Sequence, residues 1–192
     1  DVRLAAGSSV RWLNETSLYL STGSAYVDTK NVSNFDIQTE FGHVRDIGTR
    51  YMVVLETGSM SVAVREGAAR IESAFGTDTA LAAAQHAAIV HIDRSGVQSK
   101  REPASAARWD WIHAVAPGYA DRTVPALLEA IGKDLGKRVD YSSHGVQATV
   151  ANATVQGSLT GMPPREALLL VTRSAGLTCQ ENDESITVGF NP

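Results

Sequence analysis

Apolar and polar residues alternate in short runs along residues 1–100, at 9–13, 17–21, 24–28, 35–39, 51–56, 61–65, 68–72 and 87–92. Leu18 and Leu20, and again Val62 and Val64, show the period of two that puts side chains on one face of a strand. Between the runs stand Gly23, Gly42, Gly48, Gly58, Gly67, Gly76 and Gly96. Strands of about five residues parted by turn residues at ~8–12 spacing predict an all-β domain, a sandwich, barrel or solenoid. The alanine-rich run 79–86 leaves helix and strand both open.

The texture changes at "KREPASAA" (100–107), whose charge, proline and small residues predict a linker. Trp109 and Trp111 follow, two residues apart, a spacing that would set both rings on one strand face at a domain junction. Beyond them the period becomes helical. Val124, Leu127, Leu128, Ile131 and Leu135 line one face of a helix that Thr123 can cap and Gly136 can end in the left-handed conformation. A second set, Pro164, Ala167, Leu168, Val171 and Ala175, closed by Gly176, repeats the first at an offset of 40 residues. The following strands correspond too, Val139 to Cys179, and further strands are expected at 154–159 and 185–188. The chain therefore reads as an all-β domain over 1–107, sandwich or solenoid-like, followed over 108–192 by a small α+β domain of two helix–strand repeats with both helices on one sheet.

Composition narrows the function classes. The 192 residues carry a net charge of −4 and only scattered basic residues, so neither nucleic acid nor an anionic membrane is drawn to the chain as a whole. A single cysteine excludes an intrachain disulfide and a thiolate-rich metal site. Its alignment with Val139 makes Cys179 a strand residue facing a core. No run approaches the ~20 apolar residues of a membrane-spanning helix. The start at Asp1, without a Met or a leader, suggests a piece of a longer protein.

Candidate chemistry is thin. His43, His86, His91, His113 and His144 show no metal-binding spacing, and the nearest thing to a ligand pair is His91 with Asp93 on one strand face. No nucleophile elbow and no glycine-rich phosphate loop is present, and acidic residues mostly alternate with basic ones, as in Arg45-Asp46, Arg65-Glu66 and Asp93-Arg94. No catalytic, cofactor or metal residue is assigned; the expectation is a binding or regulatory module that is not an enzyme. An all-β binder of a small ligand or sugar fits less well, because no cluster of exposed aromatics is apparent.

The segments "LAAGSSVRWLNETSLYL" (4–20), "FDIQTEFGHVRDIGTRYMVV" (35–54), "VAVREGAARI" (62–71) and "ALAAAQHAAI" (80–89) resemble, in order, the periplasmic domain of the FecR family. Gly48-Thr49 and Glu66-Gly67 fill its two most distinctive slots, while Gln85-His86 stands where the family has Gly-Glu. Residues from about 114 onward, with "TVPALLEAIGKDLGKRVDY", "ATVQGSLTGMPPREALLLVTRSAGLTCQ" and "ESITV", are similar to STN-like domains. The resemblance implies the periplasmic part of an inner-membrane regulator, an anti-sigma factor that relays a signal from the N-terminal domain of a TonB-dependent outer-membrane transporter to an extracytoplasmic-function sigma factor. It implies contact with the sigma factor only through a segment before Asp1, membrane contact only through a helix outside these residues, and no cofactor. Because STN-like domains also serve secretins, a structural role in an envelope assembly is the alternative. Gly48, Thr49, Gly67, Gly136 and Gly176 are read as structural turns. A partner is expected on an edge strand of the C-terminal domain, at Thr154, Gln156 and Ser158 or at Ser185 and Thr187.

Overall fold

The described residues among the first 103 form eleven strands, most of them parted by turn glycines: β1 (Val2–Leu4), β2 (Ser9–Asn14), β3 (Ser17–Asp28), β4 (Asp36–Thr39), β5 (Gly42–Asp46), β6 (Arg50–Glu56), β7 (Ser59–Glu66), β8 (Ala68–Ser73), β9 (Gly76–Leu81), β10 (His86–Asp93) and β11 (Gly96–Pro103). The computed structural model describes residues 1–29, 34–83, 85–115, 119, 123–156, 158–159 and 161–190. These divide into two compact units, Asp1–Pro103 and Ala104–Pro192.

In the first unit all strands belong to one sheet, ordered β11-β10-β7-β6-β3-β4-β5-β8-β9, with β1 and β2 also paired to β3. The long β3 serves two halves: its first residues pair with β2 and β4, and its last with β1 and β6. The sheet curls so that inward residues from both halves share one core. Leu18, Ile37, Val44 and Ile71 from one half meet Val27, Tyr51, Val62, Val64 and Val90 from the other. Period-two alternation supplies this face, since a slip by one residue would turn every one of these side chains outward.

Three sequence expectations change here. Of the ambiguous run 79–86, residues 79–81 end β9 and His86 opens β10, with Gln85 in a turn at φ 62° between them. The first half of the expected linker is strand: β11 runs through Lys100, Arg101 and Glu102 to Pro103, bonded to β10 along its length. Backbone pairing, not burial, defines such a strand, so its exposed polar side chains carry no alternation. Trp109 and Trp111 share no strand face, because Trp109 ends a 3₁₀ turn (Ala107–Trp109) and Trp111 begins the short helix α1 (Trp111–Ala114).

The second unit continues with α2 (Val124–Leu135), β12 (Arg138–Tyr141), α3 (His144–Val150), α4 (Pro164–Ser174), β13 (Leu177–Glu181) and β14 (Ser185–Phe190). Its three strands lie in the order β12-β14-β13, β12 parallel and β13 antiparallel to the middle strand. Val124, Leu127, Leu128 and Ile131 of α2 join Ala167, Leu168 and Val171 of α4 over Ile186 and Val188. Gly136 ends α2 at φ 68°, its amide donating to the carbonyls of Gly132 and Lys133, and Gly176 follows α4 at φ 68°. Thr123 is extended at the N-cap but makes no side-chain cap bond.

The described residues of 154–159 do not form the strand expected of them. Among those described, Thr154 alone pairs, in an isolated bridge with Thr123, while Val155 and Leu159 drop into the core four residues apart. The helix α3 was not expected. Ser143 caps it by accepting from the Val146 amide at 3.3 Å, and Val146 and Val150 bury one face. Three principal helices, α2, α3 and α4, thus replace the expected two.

Candidate partner-binding site

The two glycine motifs lie in different strand connections, yet the fold brings them into contact. Gly48 sits in the turn between β5 and β6 at φ 75°, and Gly67 joins β7 to β8 at φ 77°. The Thr49 hydroxyl donates to the Glu66 carbonyl, and its amide donates to the Thr29 hydroxyl at 3.1 Å. Arg50 continues the joint, its Nε lying 3.1 Å from Asp28 Oδ2 and 3.5 Å from Glu66 Oε2. A Cβ on Gly67 would fall 2.3 Å from the Gly48 carbonyl oxygen, whereas one on Gly48 would meet nothing within 4 Å. Thr49, read from the sequence as a turn residue, thus also bonds to a carbonyl 17 residues away. One motif is the contact surface of the other, which explains why both are needed.

Asp46 is buried beside this joint, and burial raises its pKa from 3.8 against the opposing pull of the Thr29 hydroxyl and the Gly48, Thr49 and Asn34 amides. Neither carboxylate oxygen makes a close hydrogen bond among the described residues. Because the folded-state pKa is raised, the stability linked to this group is complete below the ordinary carboxylate value and falls as pH rises through the window above it. Asp46→Asn should therefore melt higher than the parent at pH 7, with the gap closing on acidification to about pH 3. A variant that melts lower at neutral pH would show instead that the carboxylate is held by a partner.

The residues expected to bind a partner are not arranged as predicted. Thr154, Gln156 and Ser158 lie in a segment where no continuous strand forms among the described residues. Ser185 and Thr187 are in β14, which is the middle strand: Thr187 is opposite Asp140 of β12 on one side and Gln180 of β13 on the other. An added strand cannot pair there. Ser185 is also buried, its amide bonded to Asn182 Oδ1 at 2.8 Å. Sheet order is set by contacts between distant residues, so nothing local in "ESITV" marks it as central.

The true edges of this small sheet are β12 and β13. The amides of Arg138 and Ser142 donate inward, to Glu184 and Val188, so the outward-facing groups of β12 are those of Val139 and Tyr141. On the exposed face Arg138 and Asp140 form a bidentate pair at 2.8 Å. That contact holds the Asp140 carboxyl below its usual range. At the end of β13, Glu181 takes both Lys137 (2.7 Å), a buried lysine, and Arg165 (2.9 Å). Glu181 is thus neutralised by two cations and does not confront Cys179 as an unpaired charge. Cys179 is half-buried, with its neighbours in the helix-side core.

His91 and Asp93 do share a face, on β10. Ser61 Oγ lies 2.8 Å from His91 Nδ1, and His91 Nε2 lies 3.6 Å from Asp93 Oδ2. No third His, Cys, Asp or Glu joins them as a metal-ligand group among the described residues. Exposed apolar side chains are more common than the sequence suggested. Trp12 is 55% exposed and meets Phe35 edge to face at 6.0 Å.

Residues 1–70 match the family model described as FecR protein. No curated protein matches the chain. Two crystal structures, at 2.50 and 1.65 Å, of a protein of Parabacteroides distasonis ATCC 8503 assigned by name as an anti-sigma factor are similar to it at 16% identity and a TM-score of 0.46, covering 100% of this chain and 90% of that one.

Proposed function

We propose that this chain, whose residues 1–70 match the FecR family model, is the periplasmic, signal-receiving part of a FecR-type regulator. Its partner is the N-terminal signalling domain of a TonB-dependent outer-membrane transporter, and its output reaches a sigma factor through a segment outside these residues. The observation that carries this reading is the match itself, whose span contains the Gly48-Thr49 and Glu66-Gly67 joint. No helix of the described residues is long and apolar enough to cross a membrane. Recognition is by protein contact, without cofactor or catalytic step.

The docking edge is β12. Its outward amides at Val139 and Tyr141 can extend the three-stranded sheet by one strand from the transporter domain. Val139→Pro removes one outward amide and no ladder bond to β14, so the unit should keep its helical circular dichroism. Its affinity for the transporter's signalling domain should drop at least about tenfold, ~1.4 kcal/mol. Equal capture of the variant and the parent by the immobilised domain would remove β12 from the interface.

A further inference from the structure

At one end of the first unit's sheet, β7 pairs with both β6 and β10. Glu56, Ser59 and Asp93 therefore stand in one cross-strand row, and Ser61 and His91 in the next row on the same face. His91, Asp93, Ser59 and Glu56 line an open hollow of about 630 Å³, together with the β6–β7 and β10–β11 turns.

His91 and Asp93 are each held by a serine. Ser61 Oγ lies 2.8 Å from His91 Nδ1, and Asp93 Oδ1 accepts from the Ser95 amide at 2.7 Å and from the Ser95 hydroxyl at 2.5 Å. The Ser95 bonds, the hydroxyl's above all, keep the Asp93 carboxyl below its usual range. The remaining donor atoms, His91 Nε2 and Asp93 Oδ2, face each other 3.6 Å apart. That separation is too long for a hydrogen bond. It is close to the ~3.4 Å between two atoms that share a tetrahedral ion at ~2.1 Å each. With Nδ1–H given to Ser61, the Nε2 lone pair is the one on the Asp93 side, and an outer hydroxyl fixes the ring as it does for ligating imidazoles.

His43 is the contrast. Its Nδ1 also lies 3.6 Å from a carboxylate oxygen, Asp36 Oδ2, but that oxygen accepts from Gln38 at 3.2 Å, and no hydroxyl holds the ring among the described residues. Charge agrees with the choice of His91. Glu56 adds a second carboxylate to the hollow, and Arg94, the one cation that lines it, pairs with neither acid among the described residues.

We propose that His91 Nε2 and Asp93 Oδ2 bind a divalent transition-metal ion such as zinc, with water in its other positions. An imidazole nitrogen beside a carboxylate oxygen selects such an ion over calcium or magnesium, which take oxygen ligands. Two protein ligands make this an exchangeable site, unlike a structural zinc site with its four. It lies on a different unit from β12 and does not depend on the transporter reading.

The test is calorimetric titration of the whole chain with zinc chloride, and separately with calcium chloride, in buffer free of chelator. The parent should bind zinc and not calcium. His91→Ala and Asp93→Asn should each weaken zinc binding at least about tenfold. Asparagine keeps an Oδ1 acceptor for Ser95, so the turn survives. Ser61→Ala removes only the group that orients the imidazole and should cost about tenfold as well. His43→Ala should change nothing. A parent that binds no zinc, or calcium as tightly as zinc, overturns the proposal. So does zinc affinity that is equal in the parent and the His91→Ala or Ser61→Ala variant, or that is lost with His43→Ala instead.

Discussion

Gly67→Ala should destabilise the first unit by about 3 kcal/mol, lowering its melting temperature by roughly 15 °C. Two costs add. The backbone at φ 77° is left-handed, which costs a residue with a side chain about 1–2 kcal/mol. The new methyl also lands 2.3 Å from the Gly48 carbonyl oxygen, a backbone atom that cannot swing aside. Overpacking of this sort costs typically 1–3 kcal/mol. Gly48→Ala is the control: the same dihedral region with nothing within 4 Å, so about 1 kcal/mol. Equal losses at the two positions would mean that the motifs do not touch, and that each glycine is merely a turn residue.

Leu128→Ala should cost the second unit about 3 kcal/mol. Leu128 is fully buried on α2, in the cluster with α4 and the middle strand β14. Its truncation leaves a cavity in a unit small enough to have few other large side chains with which to fill it. A unit of 60–100 residues loses roughly 4–8 °C per kcal/mol, so its transition should fall by roughly 15 °C. The transition of the first unit should stay in place, because its core cluster contains no residue beyond Ile92. Joint movement of both transitions in a calorimetric scan would show that the two clusters melt as one.

Much of this architecture is written locally. Leu18 and Leu20, Val62 and Val64, and the helical sets beginning at Val124 and Pro164 announce their elements because each buries one face. What burial does not mark is harder to read. β11 is held by pairing to β10 and shows an almost wholly exposed face, so Lys100 and Arg101 looked like a linker. Trp109 and Trp111 mimic a strand because two positions two apart carry no helical period of their own. The helix α3 did leave a signal, Ser143 followed by Val146 and Val150, but it is short and rich in β-branched residues.

The partner surface was the least legible. Whether Thr187 sits at an edge or in the middle depends on where β12 and β13 come to rest, and these are fixed by the packing of α2 and α4. The glycine motifs show the intermediate case. Their turn character can be read from Gly48 and Gly67 alone, but the bond from Thr49 to Glu66 spans 17 residues and appears only on folding. Lys137 and Glu181, which close the end of the small sheet, are likewise distant in sequence.

The proposed signal reception by protein contact is tested most directly by titrating the whole chain with the N-terminal signalling domains of the TonB-dependent transporters of its own organism, in buffer containing a metal chelator. Saturable binding of one domain per chain, in the micromolar range or tighter and unchanged by the chelator, is the predicted result. No heat of binding and no co-migration at any concentration, with both proteins folded, would contradict it.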